Sequence, residues 1–276
     1  MPITTLDGAA AGAIALAPLL KATTGNTTIG RPVSLWGLAG VPGAGSFSST
    51  LAGATLSSAD AGALWRGNPA SGNSYVSVIS AIAAGNSAAS GCLMLIDRLW
   101  HNGGFTITST TAQTVSSVTW PSRCPTSATD QTPATTGYGV LLGLEVSATT
   151  GAGTPTITVG YTNAAGTASR TATNLVATGA SSPNQSFYPI GLQAGDTGVR
   201  SVQSVTLSAT WTSGTMNLVA YRILGVMPLS QSGLPLGDFL NFGAPRVYDG
   251  SCLSFLFIPN SANPVSVYAT LVETQG

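Results

Sequence analysis

The chain has 276 residues, nine basic and nine acidic, for a formal net charge of zero. Only 7% of it is charged and 43% is hydrophobic. Disorder needs low hydrophobicity and high net charge, so it is excluded. Nine basic residues matched by nine acids make a poor footprint for phosphate, so nucleic acid is excluded as a partner. The length allows ample core, as one large all-β domain or two smaller ones. Polarity comes mainly from Ser and Thr, which hydrogen-bond without a strong field and suit surfaces that pack against copies of themselves.

Residues 1–74 are rich in Gly, Ala and Ser and hold no apolar period of 2 or 3.6 for long. Within them AAAGAIALAPLL (9–20) is too short to span a bilayer, and Asp7 stands where a signal peptide would be basic. No membrane segment is expected. Leu35, Trp36, Leu64 and Trp65 are large apolar anchors at intervals. Anchors without a period predict an extended arm over 1–74 that lies on another surface.

From Tyr75 the pattern turns to strands. Tyr75–Ala83 alternates, and Gly91–Trp100 is a nearly continuous apolar run, as a strand buried on both faces would be. Thr114–Trp120, Val140–Ala148, Pro155–Thr162, Val199–Trp211, Met216–Val226, Cys252–Ile258 and Val265–Glu273 follow, separated by Gly, Asn, Ser and Pro turns. Pro228–Phe242 interrupts the rhythm as a loop with a helical turn. The pattern predicts an all-β chain: an antiparallel, jelly-roll-like β-sandwich of about nine or ten strands over 75–276.

Residues that could carry chemistry are few. His101 is the single histidine, at the end of a strand. Cys92, Cys124 and Cys252 are odd in number and lack a C-x-x-C spacing, so they form neither a disulfide framework nor a zinc site. The glycine-rich run Gly37–Ser46 lacks the Gly-Lys-Ser/Thr of a phosphate loop, since the one lysine is Lys21. No G-x-S-x-G elbow presents a serine. Most acids fall in turns, while Asp97, Arg98, Glu145 and Arg222 lie inside strand patterns. Adjacent strand residues face opposite sides, so Asp97 and Arg98 should pair with other residues, within the chain or across a subunit contact. Trp100, Trp120 and Trp211 could form a sugar platform or serve as interface anchors. No catalytic, cofactor or metal residues are expected. The candidate interface residues are Leu35, Trp36, Trp65, Arg98, Trp100 and His101.

Seven runs, in order and spanning most of the chain, resemble a family of tailed-bacteriophage virion proteins. They are SLWGLAGVPGAG (34–45), NPASGNSYVS (68–77), DRLWHNGGFTITSTTAQTV (97–115), VGYTNAAGTASRTAT (159–173), LQAGDTGVRSVQSVTLSAT (192–210), NLVAYRI (217–223) and PRVYDGSCLSFLF (245–257). The resemblance implies an outer virion component akin to capsid decoration (cement) proteins, made in the host bacterial cytoplasm and bound to the major capsid protein. It brings no catalytic motif with it. A shell with three-fold sites further suggests a homo-oligomer, a trimer, engaging all equivalent contacts at once. The alternative is a lectin-like host-attachment module on a tail fibre or baseplate.

Overall fold

The computed structural model describes residues 5–25, 27–85, 90–229, 236–238 and 243–276. One six-residue helix, Leu6–Ala11, precedes a chain of strands. Those of five residues or more are β1 (Ala13–Lys21), β2 (Ser74–Gly85), β3 (Gly91–His101), β4 (Leu141–Ala148), β5 (Ile157–Asn163), β6 (Arg170–Asn174), β7 (Phe187–Gly191), β8 (Val199–Leu207), β9 (Thr215–Leu229), β10 (Leu253–Pro259) and β11 (Val265–Gln275). They form antiparallel curled sheets in a jelly-roll-like sandwich, as the alternating pattern predicts.

A six-stranded sheet runs Leu236–Asp238, β2, β11, β1, Gly40–Val41, with Arg246–Val247 also paired to β2. An eleven-stranded sheet runs Val33–Ser34, β10, β3, β9, β4, β7, β6, β5, β8, Gln113–Thr114, with Ala54–Thr55 beside β3. Strands β3 and β9 are its spine, paired from Val219–His101 to Leu229–Gly91.

Two large cores result. In the first, Ala17 and Leu19 of β1, Ile79 and Ala81 of β2, and Val267 and Leu271 of β11 meet Leu93 and Leu95 of β3, Met227 of β9 and Phe255 of β10. This is the sheet-on-sheet layer of a sandwich. In the second, the long sheet curls so that Leu142 and Leu144 of β4, Tyr161 of β5, Val205 of β8 and Leu218 of β9 enclose Trp100, Trp120 and Trp211. Each such Leu or Val withdrawn from water contributes about 1.5–3 kcal/mol. The apolar run of β3 is nearly continuous because both faces are covered. Leu93 and Leu95 enter the first core, Met94 and Ile96 pack on the other face with Phe187, Tyr221 and Leu256, and Leu99 and Trp100 enter the second core.

The structure departs from the sequence reading in several elements. Of Thr114–Trp120 only the start is strand, as Gln113–Thr114 against Val205 and Ser204, and the Val115 and Ser117 amides go on to donate to the Gln203 and Val202 carbonyls. Trp120 instead turns inward to donate to the Val199 carbonyl at 2.7 Å. Strands β6 and β7 are five residues each, too short to show a period, and are made by their neighbours' hydrogen bonds. Pro228 and Leu229 continue β9, Leu236–Asp238 pairs with β2, and much of Pro228–Phe242 lies outside the described residues.

The described residues of 1–74 do not stand apart as an arm. Strand β1 pairs along β11 from Ala13–Thr274 to Lys21–Val267. Leu35 and Leu64 lie in the first core, and Trp36 packs with Leu56, Ala63 and Cys252. The segment does lie on another surface, but that surface belongs to its own chain: β1 and Gly40–Val41 join the six-stranded sheet, and Val33–Ser34 and Ala54–Thr55 join the long one. It adds single residues to cores that other strands build, which leaves no period to read. The glycines permit this close wrapping. A Cβ at Gly45 would lie 2.1 Å from the Trp36 ring, and one at Gly40, with φ +142°, would lie 1.9 Å from the Leu20 carbonyl oxygen.

Candidate functional site

The densest group of ionisable side chains lies where the two cores join, at the middle of β3. Its members are Asp97, Arg98, Arg123, Glu145 and Arg222, all buried. Asp97 and Arg98 point to opposite faces and pair elsewhere, as strand geometry predicts. Arg98 Nη1 donates to Glu145 Oε2 of β4 at 2.6 Å, with both side chains fully buried. The Trp36 ring lies over this guanidinium at 4.6 Å and Phe47 at 5.8 Å, so residues from the amino-terminal segment seal the pair from water.

On the other face Asp97 accepts from Ser251 Oγ and the Cys252 amide, each at 2.9 Å, and Arg123 Nη2 stands 3.4 Å away. Arg123 also donates to the carbonyls of Gly250 and Arg98, and Arg222 to that of Arg123. Arg222 lies over the Tyr248 ring at 4.9 Å. Charges withdrawn from water are costly unless paired and hydrogen-bonded. Arg98 is paired with Glu145 and Arg123 with Asp97, while Arg222 is held by a carbonyl and an aromatic ring. Arg98 Nε and Nη2, Arg123 Nε and Glu145 Oε1 are buried without a hydrogen-bond partner among the described residues. The pairing is within the chain, which decides between the two alternatives for Asp97 and Arg98.

Nothing in this seam opens to a substrate. His101 Nε2 accepts from the Ser48 amide at 3.2 Å, and burial, then the Arg98 charge, pull its pKa down to about 3. A neutral imidazole so held shuttles no proton near neutrality. Burial raises the Cys124 and Cys252 thiols above their usual range. Among the described residues no cluster of three or more His, Cys, Asp or Glu could hold a metal ion, and no helix is long and apolar enough to cross a membrane.

The glycine-rich run serves packing. Lys21, the one lysine, is buried beside it, and its Nζ donates to the carbonyls of Leu38, Pro42 and Gly43 at 3.0, 2.8 and 3.1 Å. Burial lowers its pKa to about 8. The ammonium is spent on holding a loop.

Of the six candidate interface residues, Leu35, Trp36, Arg98, Trp100 and His101 are buried within the chain, which corrects their assignment to a surface. Large apolar or cationic side chains at strand ends and in loops signal burial as readily as contact, and here the chain's own sheet supplies the cover. Trp65 alone is available, 63% exposed. Trp100, Trp120 and Trp211 are buried, with their indole N–H groups donating to the carbonyls of Ala52, Val199 and Gly179. They form no sugar platform, which removes the feature that pointed to a lectin.

Sequence reasoning did not single out the outer face of the six-stranded sheet. There Val41, Leu20, Tyr268 and Ile82 form one cross-strand row, and Pro18, Thr270 and Ser80 the next. Neither row carries a charge, and Leu20 and Tyr268 are 44% and 40% exposed. The alternation in Val265–Glu273 implied an outward face, but not that its neighbours across the sheet would be apolar too. Only Leu20 and Lys21 of β1 pair with Gly40–Val41, so among the described residues Ala13–Leu19 forms the edge of this sheet.

No protein-family model and no curated protein matches the sequence. Among solved structures, the chain is similar to the infectious bursal disease virus VP2 subviral particle at 8% identity and a TM-score of 0.19, over 94% of this chain and 80% of that chain. It is also similar to T=1 particles derived from infectious bursal virus at 9% identity and a TM-score of 0.18, over 96% of this chain and 79% of that one. Superpositions at these TM-scores carry no argument about role.

Proposed function

We propose that this chain is a structural protein of virus particles. The specific role we infer is that of a decoration or cement protein on the outer surface of a tailed-phage capsid, where a homo-oligomer, a trimer, bridges neighbouring subunits of the major capsid protein. The observation that carries this reading is how the molecule spends its few charges. Asp97, Arg98, Arg123, Glu145 and Arg222 are turned inward, while the two outer rows of the six-stranded sheet that run through Leu20 and Pro18 are left uncharged and partly apolar. That surface suits packing against protein, through apolar area and hydroxyl hydrogen bonds. The ordered sequence runs resembling tailed-phage virion proteins supply the context.

The mechanism is mechanical. A sandwich clamped across subunit edges adds contact area that must be broken for the shell to open, and many weak clamps act together. The reading assigns no catalysis and no cofactor. Quantitative mass spectrometry of purified virions tests it. A copy number commensurate with the capsid subunits supports decoration; a few copies per particle would place the chain in the tail, and absence would overturn the reading.

A further inference from the structure

Four of the five tryptophans are buried, and Trp65 is left at the surface. The chain on either side of it is fixed. Leu64 enters the first core, and Arg66 makes a bidentate pair with Glu273, Nε to Oε1 at 2.8 Å and Nη2 to Oε2 at 2.9 Å. An aromatic held on a rigid base loses little entropy when it binds, and tryptophan is a preferred anchor of protein interfaces.

The same molecule carries a shallow groove of about 470 Å³ at the other end of β11, walled by Leu20, Ala22, Ala39, Gly40 and Tyr268. Lys21 belongs to this wall, but its ammonium is committed to three carbonyls of the 38–43 loop, which holds the Ala39–Gly40 side in place. At the rim Thr23 Oγ1 and Ser266 Oγ lie 2.8 Å apart and exposed, offering an acceptor for an indole N–H. Groove and tryptophan cannot meet within one chain. Arg66 is tied to Glu273 and the groove centres on Tyr268, five residues away, roughly 17 Å along the strand.

We propose that Trp65 of one copy seats in the Leu20–Tyr268 groove of the next, head to tail. The chemistry fits on both sides: a flat apolar ring with one donor, and an apolar trough with one hydroxyl pair. A chain of zero net charge adds no repulsion between copies. Such a heterologous contact closes into a ring when the rotation allows. A stable interface buries about 800 Å² per partner, so the contact extends beyond the indole onto the uncharged rows beside the groove. This rests on the reading of the chain as a self-associating structural protein, though not on where in a virion it sits.

Mixing two variants of the full chain tests it. Trp65→Ala keeps the groove and loses the anchor; Leu20→Asp keeps the anchor and spoils the groove. Light scattering after chromatography should show a wild-type oligomer and each variant alone as a monomer, with association weakened at least tenfold and circular dichroism unchanged. The equimolar mixture should recover one-to-one dimers and nothing larger, because each pair has a single competent contact. Ala39→Arg blocks the groove from its other wall, guards against misfolding of Leu20→Asp, and should complement Trp65→Ala in the same way. A monomeric wild type, an oligomeric Trp65→Ala, or a mixture that stays monomeric would each overturn the head-to-tail contact. The virion copy number is measured independently, so failure here leaves that result readable.

Discussion

The two cores differ in where their residues come from. The second draws on residues between Leu99 and Ala220 and is nearly contiguous in sequence. The first joins Ala17 and Leu19 to Val267 and Leu271, so it forms only when both ends of the chain arrive. Contacts of long sequence separation carry a larger loop-closure cost before they contribute anything. Yet β3 and β9 run through both cores, with the buried charges between them. The lesson is that a contiguous core and a closing core can share one spine, and their independence then depends on that spine.

The hardest blow to this arrangement is a charge left alone in the seam. Glu145→Ala strands the Arg98 guanidinium under Trp36, and breaking such a pair costs about 3–5 kcal/mol. Replacing both, as Arg98→Met with Glu145→Leu, should recover most of that stability, since no unpaired charge remains. Urea unfolding of the two variants measures the difference, and equal losses would mean that shape rather than charge holds the seam.

Cavities compare the cores directly. Leu271→Ala in the first and Leu218→Ala in the second should each cost about 2–5 kcal/mol. With a shared spine, both should shift a single transition in tryptophan fluorescence and far-ultraviolet dichroism alike. If Leu271→Ala splits the transition and leaves the later step in place, the two cores unfold separately.

The smallest expected effect belongs to the second core's edge. Asp196 accepts from Tyr161 Oη at 2.5 Å, Asn163 Nδ2 at 2.7 Å and Arg170 Nε and Nη2 at 3.0 Å each. Burial would raise its pKa, but these donors outweigh burial and hold it at about 2. An unfolded Asp titrates near 3.9, so between the two values the unfolded chain binds more protons. This contribution is complete above about pH 4 and is lost as the pH falls through 2. Asp196→Asn should flatten that part of a stability–pH curve. An unchanged slope would show that the carboxylate is not held as the hydrogen bonds imply.

Strand identity was legible wherever a local pattern sufficed. The alternation in Ile157, Val159 and Tyr161 and the nearly continuous apolar run of β3, interrupted by Asp97 and Arg98, announce half-buried and fully buried strands from residue type alone. Strand β1, with Pro18 inside it, carries no such signal because its partner β11 lies at the other end of the chain, and β6 and β7 carry none because five residues each are too few to show a period.

The sequence by itself determined that the chain is β, nearly chargeless and without a recognisable catalytic motif, because composition and alternation are local properties. It also determined that Asp97 and Arg98 pair with other residues, because adjacent strand residues face apart. Only the tertiary structure decided which large side chains are surface. Trp36 and Trp65 look alike in the sequence, each following a leucine, yet one is sealed over Arg98 and the other stands in solvent. Burial depends on what the rest of the chain brings to the same place, and no local pattern encodes that.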